Sequence, residues 1–364
     1  MINLLSKISV GAIKGITLIS LGLILLTPEV SAKLSSDTPN ILLITVDDMN
    51  FDSVGVFGSQ VENITPNIDD IARQGRRFDR AYVTASNCAP SRVAIQTGLY
   101  PQQSGASGFF YIDDKEVPSI ARTLRNEGFF TGVINKSTDT NPSPKNGDYW
   151  DVRSGFSKIQ KYSAKGYGEK AEDFFNQVKK KKSPFYLVVN IADPHKPNFN
   201  DKKATKKGAD VHEPSRIYKS KEVTVPSFLP DIPPVRKDVR NYFNSVKRAD
   251  DTVGEVMKSL SKSGLEQNTL VVFLSDHGMP FPFAKSSVYN NGLQTPMIMK
   301  WPSKIDEGSA EHDIVSVIDL FPTFLNVAGI ELPKKHQYHG VALLSDEKPS
   351  LENRVAFGSF DENA

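Results

Sequence analysis

Asn40-Ile41-Leu42-Leu43-Ile44-Thr45-Val46 runs directly into Asp47-Asp48, and the fold is read outward from this stretch. It is short and almost wholly apolar, as expected of a strand buried on both faces of a sheet, and it stops on two carboxylates. Comparable apolar runs recur at Phe129–Ile134, Phe185–Ile191, Leu270–Leu274 and Pro296–Met299, each bounded by polar or turn-forming residues. Between and beyond them, helical periodicity fits Val117–Glu127, Glu169–Lys180, Val239–Ser261 and Val317–Val327. Thr65-Pro66 ahead of Asn67–Arg73 predicts a further helix, with the threonine hydroxyl as N-cap and proline at the first helical position. This alternation predicts an α/β fold, a mostly parallel central sheet flanked by helices. Residues 138–165 and 194–235 are rich in Pro, Lys, Asp and Gly with little periodicity, so they are expected to be long loops, functional borders or flexible insertions. No internal repeat is present.

Composition narrows the class. The 364 residues, 39% hydrophobic and 24% charged, are those of an ordinary globular protein with ample length for a buried core. The net charge is +2, and Lys7, Lys14 and Glu29 supply +1 of it, which gives no general affinity for nucleic acid. Lysines cluster at Lys179–Lys182 and at Lys202, Lys203, Lys206 and Lys207, a pattern read as solvated surface. Residues 1–32 are expected to be an export signal: Lys7 and Lys14 precede the apolar run Ile16–Leu26, and Val30-Ser31-Ala32 forms a small-residue cleavage site before Lys33. A single domain is then expected over residues 33–364, exported to the periplasm or secreted, with no stable membrane insertion after cleavage. Cys88 is the only cysteine, so no intramolecular disulfide is available to test that compartment.

Ligands of such sheets gather at the carboxyl ends of strands, where the chemistry-bearing residues of this chain stand. Asp47 and Asp48 end the first strand, Asp193-Pro194-His195 follow the Phe185–Ile191 run, and Ser275-Asp276-His277-Gly278 follow Leu270–Leu274. Clustered carboxylates repel in apolar surroundings, a conflict that a divalent cation resolves, and hard oxygen ligands favour Ca2+ or Mg2+. The lone cysteine lies in Cys88-Ala89-Pro90-Ser91-Arg92, with Thr97-Gly98 a few residues on.

Together these motifs resemble the type I sulfatases of the alkaline phosphatase superfamily. The segment Asp276-His277-Gly278-Met279-Pro280-Phe281-Pro282, with Lys285 three positions on, is similar to the sulfamidase branch, the N-sulfoglucosamine sulfohydrolases. The resemblance spans nearly all of the chain after the leader. It implies an alkaline phosphatase-like sandwich and a maturation enzyme that converts Cys88 to formylglycine. The hydrate of that aldehyde attacks sulfur with one oxygen and uses the other to expel sulfate. It also implies a metal site of Asp47, Asp48, Cys88, Asp276 and His277. Arg92 would orient the hydrate, Lys136 and Lys285 would grip sulfate oxygens, and His195 would protonate the leaving group. The expected substrate is a sulfated saccharide, foremost the N-sulfate of glucosamine in heparin or heparan sulfate fragments.

Two residues depart from the family pattern. Thr138 stands where many sulfatases carry a histidine two positions after the lysine, and His277 where asparagine is frequent. The smaller C-terminal domain usual in the family is expected to be absent or truncated, because little sequence follows Val355–Ser359. An O-sulfatase, a phosphonate or phosphate monoester hydrolase, and a degenerate glycan-binding relative are the alternative readings of the same motifs.

Overall fold

The apolar runs become strands of one sheet, together with three strands that the sequence pattern does not announce. In chain order they are β1 (Asn40–Val46), β2 (Arg76–Tyr82), β3 (Phe130–Ile134), β4 (Val152–Ser154), β5 (Phe185–Asn190), β6 (Thr269–Ser275), β7 (Met297–Lys300) and β8 (Ser309–Ser316). They are seen in a computed structural model that describes residues 37–359 apart from 107, 109–116, 143–148, 207–208, 303 and 346–349. The predicted leader lies outside the described residues. The sheet order is β4-β3-β5-β1-β6-β7-β2-β8. β1 pairs in parallel with β5 and β6, β3 with β4 and β5, and β2 with β8, while β7 runs antiparallel to both β6 and β2.

The strands missed in the sequence are those with weak apolar patterning. β2 reads Arg76-Arg77-Phe78-Asp79-Arg80-Ala81-Tyr82, and β8 is half exposed along most of its length at the sheet edge. Such strands form because a neighbour offers unpaired backbone groups, not because their own residues demand it. β4 falls inside the stretch 138–165 predicted to be loop, and the segment 194–235 contains short helical turns at Lys202–Lys206 and Ser220–Glu222.

Alternation along the strands separates two cores. Leu42, Ile44 and Val46 of β1 join Leu187, Val189, Val271 and Phe273 under the helices Pro66–Arg73, Ala164–Lys181 and Pro233–Ser263. Ile41 and Leu43 join Tyr186, Val188, Leu270, Val272 and Leu274 on the opposite face. There they meet the helices Cys88–Thr97, Ile120–Asn126 and Leu320–Val327. The result is a helix–sheet–helix sandwich, in which each fully buried Leu or Phe contributes about 2 kcal/mol. No described helix is long and apolar enough to cross a membrane.

One cap differs from its prediction. Thr65 does not cap its own helix; its hydroxyl accepts from Gly55 N at 2.7 Å and donates to Asp69 Oδ1 at 3.2 Å. The first-turn amides of Asn67 and Ile68 donate instead to Asp250 Oδ1, both at 2.9 Å, from the middle of the Pro233–Ser263 helix. Asp250 also holds Lys247 Nζ at 2.8 Å. Asp250→Ala removes this cap and one partner of a buried ammonium, and is expected to destabilise by about 2 to 3 kcal/mol. Urea unfolding measures it, and a loss under about 1 kcal/mol would assign the cap elsewhere.

Candidate active site

The parallel strands β3, β5, β1 and β6 are neighbours, so their carboxyl ends deliver Lys136, Asn190, Asp47 and Asp276 to one rim. Register and alternation do the aiming. Thr45 pairs with Asn190 and Thr45 with Leu274, on the face of Ile41, Leu43 and Tyr186. Continuing that alternation, Asp47 and Asp276 project to the same face, beneath the Cys88–Thr97 helix. Asp47 N donates to Asp193 O at 3.1 Å and Asp276 N to Val46 O at 3.1 Å, which extends the ladder past the strand ends.

Cys88 opens its helix, and every residue from Cys88 to Thr97 is buried. Pro90 in the first turn has no N–H to leave unpaired there. Ser91 Oγ donates to Asp276 O at 2.6 Å, which fixes the helix against the end of β6. Arg92 is 1% exposed, and its N–H groups face acceptors all round. Nε and Nη2 reach Asp276 Oδ2 at 3.0 and 2.9 Å, and Nη2 also approaches Asp47 Oδ2 at 3.4 Å. Nη1 donates to Thr45 Oγ1 at 2.7 Å and Asn190 Oδ1 at 2.6 Å. A guanidinium has five N–H donors, and these five contacts engage them. Arg92 therefore positions the carboxylates beside Cys88.

The cysteine sulfur sits among polar and charged groups: 3.4 Å from Asp47 Oδ1, 3.3 Å from His277 Nε2 and 3.4 Å from Lys285 Nζ. Burial, and the neighbouring Asp276 and Asp48, push the thiol well above its usual range, so as a cysteine it keeps its proton. Lys285 Nζ donates to Asp48 Oδ1 at 2.7 Å, and Lys136 Nζ pairs with Asp47 Oδ2. Consecutive left-handed residues, Asn135 and Lys136, turn that lysine inward. Asn190 Nδ2 holds this turn by donating to Asn135 O at 2.9 Å.

The clustered donors could hold a metal ion. Ligand atoms of Asp47, Cys88, Asp276 and His277 lie within 4.8 Å of one another, as do those of Asp47, Asp48, Cys88 and His195. Asp48 Oδ2 is buried with no hydrogen-bond partner, and burial raises the Asp48 carboxyl to about 7. His277 is held neutral, its pKa lowered to about 4 mainly by burial. Its Nδ1 faces Gly278 O at 2.9 Å, so Nδ1 carries the proton and the Nε2 lone pair faces Asp48 Oδ1 at 3.3 Å. Lone pair against carboxylate is stabilised by a cation between them.

Of the residues singled out in the sequence, Asp47, Asp48, Cys88, Arg92, Lys136, His195, Asp276, His277 and Lys285 share this rim. Asp193 does not join the carboxylate cluster. It forms a two-point pair with buried Arg248, at 2.7 and 2.9 Å, and so ties its loop to the Pro233–Ser263 helix. Thr138 lies exposed on the short helix Ser137–Thr140. Thr45 and Asn190 were not singled out, although each is a lone polar residue near the end of an apolar strand, and that is the signal that marks them.

Comparison with known proteins places this geometry. The sulfatase family model matches residues 39–330. An ulvan-active sulfatase of Formosa agariphila is 26% identical over 352 residues, covering 86% of this chain and 55% of that protein. Human N-sulphoglucosamine sulphohydrolase is 30% identical over 321 residues, covering 81% of this chain and 61% of that protein. The chain thus spans less than two thirds of the length of either relative. A protein of the alkaline phosphatase superfamily from Vibrio parahaemolyticus shares the fold, with TM-score 0.59 and 20% identity over 81% of this chain and 67% of that one.

Proposed function

Because the chain belongs to the sulfatase family, we propose that it hydrolyses sulfate from a sulfated sugar, foremost the N-sulfate of glucosamine in heparin or heparan sulfate fragments. The observation that carries this reading is Cys88 set among Asp47, His277 and Lys285, and the likeness to the human sulphohydrolase supports the substrate. Likeness to an ulvan-active sulfatase favours an O-sulfated polysaccharide as the second reading.

Asp47, Asp48, Asp276 and His277 would hold Ca2+ or Mg2+, which when bound polarises a sulfate oxygen and favours ionisation of a neighbouring hydroxyl. Cys88, matured to formylglycine, supplies a hydrate that can both accept and discard a sulfuryl group. Arg92 keeps the Asp47 and Asp276 carboxylates aimed at one point. Lys285 faces Cys88 and Lys136 faces the neighbouring Asp47, so both would meet the oxygens of an incoming anion. Three carboxylates here face three side-chain cations, so a divalent ion leaves an excess of two positive charges to attract sulfate. The leader supports export to the periplasm or beyond.

His195 is the candidate acid. Burial, Lys285 and Lys136 lower its pKa to about 4, so it is neutral near pH 7 and gains a proton only once a bound anion offsets the lysines. His195→Gln is expected to slow sugar sulfates and sulfamates, whose leaving groups need a proton, by about 10² to 10⁴-fold. Aryl sulfates with acidic phenols should lose less than about tenfold. Equal losses on both substrate types would remove His195 from that role.

Sulfate release from N-sulfoglucosamine, O-sulfated sugars and matched phosphate esters tests the whole reading. It is paired with the mass of the Cys88 peptide, which falls by about 18 Da on conversion to the aldehyde. An unconverted thiol from the native host, with glycan binding and no release, would reassign the chain as a binding relative.

A further inference from the structure

We infer that Phe283 and Tyr289 form an aromatic platform for the pyranose ring of the sulfated sugar, an inference that rests on the substrate reading above. Ten large apolar side chains are exposed among the described residues, and three of them, Phe283, Val288 and Tyr289, belong to one loop between β6 and β7. The two rings are 56% and 58% exposed, and they stand edge to face with centroids 5.9 Å apart. An apolar cluster this open, built from rigid rings, is costly to leave in water and marks a contact surface.

The loop is the one that carries Lys285 to Asp48 and Cys88. It closes at its base where Gly278 N donates to Gly292 O at 3.1 Å, and a Cβ at Gly278 would lie 1.7 Å from Asn291 O. It is then pinned beside the nucleophile position. Ser286 N donates to Ser86 O at 3.0 Å, Ser286 Oγ to Asn87 Oδ1 at 2.8 Å, and Ser287 N to Ser86 Oγ at 2.9 Å. Phe283 holds this position at φ 65°, a left-handed conformation that a bulky side chain rarely takes. A ring is thus presented to solvent at a conformational cost, two residues from the lysine that faces Cys88.

The ligand chemistry follows from what the two sides of the loop offer. Lys285, which faces Asp48 and Cys88, would meet the anionic end of a substrate, and the exposed rings offer an apolar, quadrupolar face. A sulfated pyranose has both features: a sulfate anion and, on its ring, a face of C–H groups that packs on aromatic surfaces.

The test compares the matured, metal-loaded wild type with Phe283→Ala, Tyr289→Ala, the double variant and Phe283→Trp. N-sulfoglucosamine is the substrate, and inorganic sulfate is the competitive inhibitor that lacks a sugar. The double variant should raise KM for the sugar about tenfold with kcat within about twofold, the inhibition constant for inorganic sulfate should stay unchanged, and Phe283→Trp should keep the wild-type KM. An unchanged sugar KM overturns the platform. A parallel shift in sugar KM and sulfate inhibition also overturns it, because the rings then only support the Lys285 loop. A change confined to self-association or solubility, with sugar kinetics intact, assigns the patch to a protein partner and overturns it too. A wild type that releases sulfate from no sugar overturns the substrate reading itself, and the platform with it.

Discussion

Asp276→Ala is expected to abolish turnover, by about 10³-fold or more, and to lose the bound cation at the same time. Asp276 belongs to the ligand cluster, accepts Asp48 N through Oδ1 at 3.1 Å, and holds Arg92 through Oδ2. Burial opposes its charge, but His277, Arg92 and the two lysines win and hold its carboxyl well below the usual range. Asp276→Asn keeps the shape and one of the two acceptor oxygens while removing the charge, so it separates loss of metal from loss of fold. Metal content by elemental analysis and sulfate release should fall together in both variants, with circular dichroism unchanged in Asp276→Asn. A folded Asp276→Asn that keeps stoichiometric metal and near-normal rates would contradict the site.

The same site predicts how metal affinity depends on pH. Asp48 is raised above its unfolded value of 3.8 to about 7, so in the cation-free protein it keeps a proton up to that pH, and a cation must displace it. Apparent affinity should climb as pH rises toward about 7 and level off above, with proton release measurable by calorimetry in buffers of differing ionisation heat. The sign for stability is the reverse in cation-free protein. The raised carboxyl stabilises the fold fully below pH 3.8 and loses that contribution as pH rises through about 7.

The second large effect is on folding. Arg92→Met should destabilise the protein by about 3 to 5 kcal/mol, because it leaves buried Asp47 and Asp276 facing each other without their shared guanidinium. Thr45 Oγ1 also loses the guanidinium as donor, and Asn190 Oδ1 is left with the Thr45 hydroxyl alone. Arg92→Lys should recover little, since one ammonium cannot reproduce contacts spread over four residues. Denaturant unfolding of metal-free protein isolates the structural part, and a loss below about 1 kcal/mol would show that the carboxylates are compensated elsewhere.

What the sequence alone determined was local: a strand pattern repeated between amphipathic helices, and the motifs at Asp47-Asp48, Cys88–Arg92, Asp193–His195 and Asp276–Lys285, since neighbouring residues suffice to specify them. The tertiary structure decided which of these meet and what they do together. β2 and β8 form only because partners supply backbone groups, and Asp250 caps a helix nearly two hundred residues away in place of Thr65. Asp193 and Asp276 both follow apolar strands, yet one pairs with Arg248 and the other with Arg92. The physical reason is that a strand's periodicity specifies its faces but not its neighbour or register. Charge, which acts through space, is therefore compensated by whichever group the packing brings within reach.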